Sequence, residues 1–367
     1  MNLELTDEQV ALRDTIRRFL TEKARIADHV RPLLDDATGT IDALWRGLAA
    51  LGTTGLLVPE DCNGAGMTMV EAGIVAEELG AALHPGPWLS TAVAAPRALT
   101  RLGATEAAAE LLAGIADGST VATVCFPDAE SGSIAASGQG GDASLRGEMA
   151  AIPDAAAADV LLVLAEEDGH LELFAVPSGA TGVSVELERG IDQTRKHFHI
   201  TLDAAPARRL ASASPEDLAA VIDDTLIATA ADALGAARTV MDMAVEYAKT
   251  RTQFGQPIGS FQAVQHLCVD MYETVELARS GVIHALWAAD NADHDERHVA
   301  ALRAKAFAGR LATVGDTAIQ VFGGIGYTWE HDAHLYLKRL LSWSAFRGGS
   351  DRYLVELGAR LANRGGR

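Results

Sequence analysis

The hydrophobic period of this chain changes twice, and those two changes fix its architecture before any single residue is considered. From Thr6 to about Ser119, apolar positions such as Val10, Leu12, Ile16, Phe19 and Leu20 recur at three- and four-residue spacing after a TDEQ start that reads as a capping box. Further helical stretches, 42–52, 69–83 and 91–115, alternate with the punctuation PEDCNGAG and LHPGPW. Between about Thr120 and Leu210 the period shortens to short β-rich runs, VATVCF, ADVLLVLA, LELFAVP, VSVEL and FHITL, separated by Gly, Asp and Pro. The Gly/Ser/Ala-rich stretch 131–144 reads as a mobile loop among them. After Pro215 the helical period returns, first as a stripe from Leu226 to Ala248, then from Phe261 to Val282, then from Leu302 to Val321.

A chain of 367 residues exceeds one ordinary hydrophobic core. The expected fold is therefore α+β and multidomain: an N-terminal helical domain over 1–118, a small middle β domain over 119–212, and a C-terminal four-helix bundle over 213–367. No internal repeat of fixed period interrupts that plan.

Charge and cysteine usage exclude several functions. There are 50 acidic against 30 basic residues, a formal net charge of -20, and no Lys/Arg block, so a nucleic-acid or anionic-lipid partner is not expected. A polyanionic substrate would need a locally basic entrance. Cys62, Cys125 and Cys268 are widely spaced and in no CxxC arrangement, which implies neither a disulfide framework nor a zinc site and fits a reducing cytoplasm. The acidic start and the lack of an apolar run near 18 residues predict neither a signal peptide nor a membrane span.

Two segments at helix junctions stand out, RTQFGQPIGSFQAVQ from Arg251 and IQVFGGIGYTWEHD from Ile319. Arg251 closes one helix, where a cation complements the helix dipole, but its planar fork of donors also suits a pyrophosphate. Gln320 stands on the last turn of an apolar helix, ahead of Gly323 and Gly324; such glycines either cap a helix or let a backbone approach a flat or phosphorylated ligand closely.

Taken together, Arg251-x-x-Phe254-Gly255, Phe261-Gln262 and Gln320-x-Phe322-Gly323-Gly324-x-Gly326-Tyr327 resemble the C-terminal signatures of the acyl-CoA dehydrogenase family, and LLVPEDCNGAGMTMVEAGIVAEELG is similar to its early helices. The resemblance runs over essentially the whole chain. It implies FAD bound without a Rossmann GxGxxG motif, with Arg251, Phe254 and Gln262 along one side of the dinucleotide and Gln320, Gly323 and Gly324 of an adjacent subunit along the other. It further implies an acyl-CoA substrate desaturated to the enoyl-CoA in fatty acid or steroid degradation, and an electron-transfer flavoprotein as electron acceptor.

Two departures from the family pattern shape the expected function. Reading on from Gly326 without a gap, the family's catalytic Glu position falls on Arg347, which stays protonated and is no base. The alternative base position of some members falls on Thr225. In the β domain, CFPDAESGSIAASG and GEMAAIPDAAAADV stand where the family keeps the stretches that line the flavin ring. Such losses resemble the partner subunits of heterotetrameric actinobacterial acyl-CoA dehydrogenases, which work beside a related, base-bearing chain.

Two other readings stay open: a self-sufficient homo-oligomer using Asp232, two turns beyond Thr225 on nearly the same helix face, and a flavin-free structural subunit. Asp232 alternatively reads as a solvated or N–H-satisfied helical residue, and Asp223 and Asp224 as first-turn acids of that helix. His331, Asp332 and His334 lack the spacing of a helical zinc site.

Overall fold

The computed structural model describes residues 4–127, 132–139 and 141–364. Helical N-terminal and C-terminal regions flank a middle β domain. In chain order the N-terminal helices are α1 (Asp7–Lys23), α2 (Arg31–Leu33), α3 (Asp42–Ala50), α4 (Met69–Ala81), α5 (Ala95–Arg101) and α6 (Ala109–Asp117). The strands β1 (Ala122–Cys125), β2 (Gly132–Gln139), β3 (Asp142–Pro153), β4 (Val160–Glu167), β5 (His170–Pro177), β6 (Val183–Glu188) and β7 (His197–Ala213) follow. Then come α7 (Pro215–Thr250), the short strands β8 (Thr252–Gln253) and β9 (Gln256–Pro257), α8 (Gln262–Asn291), α9 (His294–Ala308), α10 (Leu311–Phe322), α11 (Ala333–Ala345) and α12 (Ser350–Arg364).

Compactness divides the chain into two units that interleave along the sequence. One comprises Met1–Arg31, Gly73–His84 and Leu226–Arg367; the other comprises Pro32–Ala72 and Pro85–Thr225.

The second unit is built on a seven-stranded sheet in the order β1-β4-β2-β3-β7-β5, with β6 paired to β7 and β4 also paired to β5. Strands β4 and β5 are apolar on both faces, as covered strands require, whereas β3 and β7 alternate buried with exposed residues. Along β4, Leu162 and Leu164 join one core with α5 and α6 residues such as Leu99, Leu112 and Ile115. Leu161, Val163 and Ala165 join the opposite core with Ile152, Phe198 and Ile200. The period of two in a strand thus explains why ADVLLVLA reads as a continuous apolar run.

The stretch expected to be a mobile loop, 131–144, is instead a hairpin in its described part: β2 and β3 pair antiparallel from Gly132 opposite Met149 to Gln139 opposite Asp142. Small residues with no alternation carry no strand signal, and the pairing is supplied by β3, which is anchored along β7. Residues 131 and 140 of that stretch lie outside the described residues.

The first unit is helical. The Thr6 capping box is present, its side chain accepting from the Gln9 N–H while the Gln9 side chain accepts from the Thr6 N–H. The helix expected from Leu302 to Val321 is two, α9 and α10, parted at Gly309 and Arg310. Gly309 is held there by space: a Cβ would lie 1.9 Å from the Ser350 hydroxyl at the start of α12.

Two other glycines set the closest helix approach in this unit. A Cβ on Gly80 of α4 would lie 1.9 Å from the Asp232 carbonyl oxygen of α7, and one on Gly235 of α7 would lie 1.8 Å from the Glu77 carbonyl oxygen of α4. The two backbones therefore touch, and any side chain larger than hydrogen must push them apart. Gly235→Ala is expected to destabilise the chain by roughly 1–3 kcal/mol, and more where the helices cannot separate. Thermal unfolding of the variant against Gly281→Ala, where a Cβ meets nothing within 4 Å, isolates the crossing from helix propensity.

Candidate functional site

The Arg251 segment is a strained turn on the end of a long helix. The Arg251 N–H donates to the Tyr247 carbonyl (2.8 Å), continuing α7, and the Arg251 carbonyl then accepts from the Ile258 N–H (2.8 Å). Between them β8 and β9 form a two-residue hairpin whose central residues both have positive φ, Phe254 at 52° and Gly255 at 79°. That geometry suits Asn-Gly far better than Phe-Gly, so Phe254 is held in a costly conformation. Phe254 is 92% exposed, and its ring stands edge-on to that of Phe261 with centroids 6.1 Å apart. A strained, solvent-facing Phe is the kind of residue that a ligand or a second chain covers. Arg251 and Gln262, at the first turn of α8, are exposed as well, and among the described residues the Arg251 guanidinium makes no ion pair.

The second segment ends α10. Gln320 is exposed, Phe322 is buried, and Gly323 leaves the helix at φ 65° and ψ -144°, open to glycine alone. Gly324 has negative φ, and a Cβ there would meet nothing within 4 Å, so neither its own backbone nor packing within the chain requires a glycine. Phe322 joins the two segments: its ring packs 5.1 Å from Tyr247, one turn before Arg251, and 4.3 Å from His331. Sequence reasoning misses Tyr247 and that clamp, for which an aromatic four residues ahead of Arg251 is the available signal.

Asp232 proves neither solvated nor isolated. It is 3% exposed, and Arg339 of α11, itself 2% exposed, donates to both its oxygens at 2.8 Å. The same guanidinium donates to the His84 carbonyl (3.1 Å) just beyond α4. Both oxygens of Asp232 are thus occupied by a permanent cation, which leaves them engaged rather than open to a substrate. Asp223 and Asp224 are not first-turn acids, because α7 begins at Pro215 and its first turn carries Glu216 and Asp217. Both are buried in the third turn, with Asp224 bonded by Arg101 (2.5 and 3.1 Å) and faced by Arg97. The Thr225 hydroxyl donates back to the Val221 carbonyl.

Arg347 lies in the turn between α11 and α12, half-buried, with φ 51° and its carbonyl accepting from the Tyr353 hydroxyl (2.7 Å). Asp332 accepts from Arg31, His331 Nδ1 accepts from the Ala333 N–H, and burial pushes His334 down to about 4. A cleft of about 450 Å³ opens among α1, α4 and α7 beside Tyr336, but its Arg17 and Arg238 are engaged with Glu77 and Glu78, which leaves no surplus of positive charge for an anion. Residues 128–131, in the stretch replacing the family's flavin-lining motif, lie outside the described residues.

Comparison with known proteins gives these segments a context. Residues 6–119 match the family model for the acyl-CoA dehydrogenase N-terminal domain, and residues 220–362 match that for the C-terminal domain. Acyl-CoA dehydrogenase IpdE2 of Mycobacterium tuberculosis is 33% identical over 91% of both chains. Acyl-CoA dehydrogenase FadE34 of the same organism is 37% identical over 95% of this chain, which spans about half of that relative, 47%. Among solved structures, the Tcur3481-Tcur3483 steroid ACAD variant superposes with a TM-score of 0.89 at 31% identity, covering 98% of this chain and 99% of that one. The ChsE4-ChsE5 complex from Mycobacterium tuberculosis gives 0.89 at 28% identity, covering 99% of each.

The geometry at Asp232 sets up a direct test. Asp232→Asn removes the charge that neutralises a buried arginine, and breaking such a pair costs about 3–5 kcal/mol. We expect a marked fall in denaturant midpoint for Asp232→Asn, partly recovered in the double variant Asp232→Asn/Arg339→Met, where no charge is left stranded.

Proposed function

The chain belongs to the acyl-CoA dehydrogenase family, and from that premise we propose that it is the FAD-holding, base-lacking subunit of a hetero-oligomeric dehydrogenase that forms an enoyl-CoA from an acyl-CoA thioester. The observation that carries this reading is the Asp232–Arg339 pair. With the family's base position falling on Arg347, Asp232 is the first candidate ahead of Asp223 and Asp224, and its carboxylate is enclosed by a bidentate arginine. The reacting α-carbon must then lose its proton to a carboxylate of a related partner chain.

The residues kept by this chain fit a dinucleotide. Arg251 offers an exposed fork of donors to a pyrophosphate, Phe254 offers an exposed ring to an adenosine, and Gln262 begins the next helix beside them. Gln320, Gly323 and Gly324 form the opposite edge for the equivalent dinucleotide of a neighbouring subunit, with Gly324 leaving room for close backbone approach. When bound, FAD supplies the hydride acceptor of the family's reaction. The match to the ChsE4-ChsE5 complex supports a paired assembly, and the match to the Tcur3481-Tcur3483 steroid enzyme supports a steroid-derived acyl-CoA; an electron-transfer flavoprotein as electron acceptor and a cytoplasmic location complete the proposal.

Coexpression with a Glu-bearing homologue encoded nearby tests the assembly. We expect the two chains to copurify in near-equal amount, yellow and active, and this chain alone to turn over acyl-CoA roughly 10²- to 10⁴-fold more slowly. A yellow homo-oligomer with full turnover, lost in Asp232→Asn at unchanged stability, would establish the self-sufficient reading; a colourless complex would establish the flavin-free one.

Arg251→Ala separately tests the cofactor assignment. A charge-assisted fork to phosphate is worth about 1.5–3 kcal/mol, so FAD retention through gel filtration should fall by about one to two orders of magnitude in affinity.

A further inference from the structure

Lys305 is a lysine with no exposed surface and, among the described residues, no carboxylate partner. It stands on α9, and its ammonium donates to the Trp343 carbonyl (2.5 Å) and reaches the Ser344 carbonyl (3.4 Å), both in the last turn of α11. It also lies 3.8 Å from the centre of the Trp343 ring and 5.9 Å from that of Tyr353 on α12. The contact is reciprocal, since the Trp343 indole N–H donates to the Ala308 carbonyl (2.9 Å) at the end of α9. Tyr353 closes the arrangement by donating to the Arg347 carbonyl (2.7 Å).

The charged groups on the surrounding elements are engaged elsewhere: Glu356 of α12 with His298 and Arg360, Glu296 of α9 with Arg303 and facing His284 of α8, and Arg339 of α11 with Asp232. Lys338 of α11 lies over Trp329, and Arg352 of α12 lies against Gly348. Asp351 of α12 is exposed, and Lys305 forms no ion pair among the described residues. Burial alone pushes its ammonium down to about 7. A buried cation without a counter-charge costs stability, so a methionine of similar length would be the better core residue.

What a methionine lacks is the ability to hold the end of α11. The last carbonyls of a helix lack their regular i+4 partners; here the Trp343 carbonyl accepts a 3.1 Å bond from the Phe346 N–H as well as the Lys305 ammonium, just before a turn with two consecutive positive φ values, Arg347 at 51° and Gly348 at 96°. We infer that Lys305 is the positioning residue of the Phe346–Gly349 turn, its ammonium fixing the carbonyls from which that turn departs and so the place of residue 347. This rests on the proposed function only for the use to which the turn is put, because the family's base position falls on Arg347; the order of the turn is a property of this chain alone.

Amide hydrogen exchange on the whole chain tests it. If the turn opens by releasing Lys305 to water, opening takes up a proton between pH 7 and the ordinary lysine range, since the closed amine is neutral there and the open one charged. Opening is then disfavoured as pH rises. Protection of the Phe346 and Gly348 amides, corrected for intrinsic exchange, should increase above pH 7 by up to about tenfold per unit, and the α10 amides should not follow.

In Lys305→Met that pH dependence should vanish, and protection of the turn at pH 7 should fall about tenfold while α10 is unchanged. Unaltered protection, an equal loss across the unit, or the same pH dependence in the variant would overturn the inference. If Lys305→Met does not fold, a flat pH profile of the wild-type turn overturns it equally.

Failure to form a complex with a base-bearing partner counts against the proposed function, while the exchange experiment still decides the role of Lys305.

Discussion

The buried pair between Asp232 and Arg339 is the interaction on which the helical unit depends. One guanidinium satisfies both oxygens of an α7 carboxylate and the carbonyl of His84 beyond α4, so a single side chain of α11 ties three segments far apart in sequence. It sits at the Gly80–Gly235 crossing, where α4 and α7 touch backbone to backbone and leave no slack for the charges to separate. Desolvating two ions is expensive, and only near-ideal geometry repays it. The return is less in stability than in definition: α11 has one register against α7, and with it the turn that carries Arg347.

The same pair explains why the environment of Asp232 is hidden in the sequence. In an Ala-rich helix a lone Asp is most economically an exposed or backbone-satisfied residue, and its partner lies 107 residues away on a helix whose own pattern gives no sign of a charge turned inward. Asp224 is hidden for a related reason, since the helix starts earlier than its acidic pair suggests and its arginines come from the N-terminal region. Local signals fare better. The Thr6 capping box, the apolar runs of β4 and β5, and the end of α7 at Arg251 each follow from a few adjacent residues, and all are present.

Where strand pairing is supplied from outside, sequence is silent. β2 is Gly, Ser and Ala for most of its length, with Ile134 its one buried aliphatic of size, and it becomes a strand because β3 presents a ladder to it. The split between α9 and α10 is similar: Gly309 in a helical stripe costs little by itself, and it becomes a break because the Ser350 hydroxyl of α12 occupies the space a side chain would need. Both are tertiary decisions, and neither alters the helical, β, helical plan that the change of period laid down.

Electrostatics then separate what the chain keeps for itself from what it offers. With a net charge of -20 it repels polyanions at a distance, and several of its arginines are consumed by its own carboxylates: Arg17 by Glu78, Arg31 by Asp332, Arg101 by Asp224, Arg238 by Glu77, Arg339 by Asp232. Arg251 is different, being exposed at a helix end beside a strained Phe254 and close to the segment that carries Gly323 and Gly324. A cation with no ion pair among the described residues, on a turn that costs energy to hold, is what the proposed dinucleotide site draws on. The opposite holds at Asp232, whose carboxylate is enclosed by Arg339. The contrast between an exposed Arg251 and an enclosed Asp232 is what the proposal of a second, unlike chain rests on.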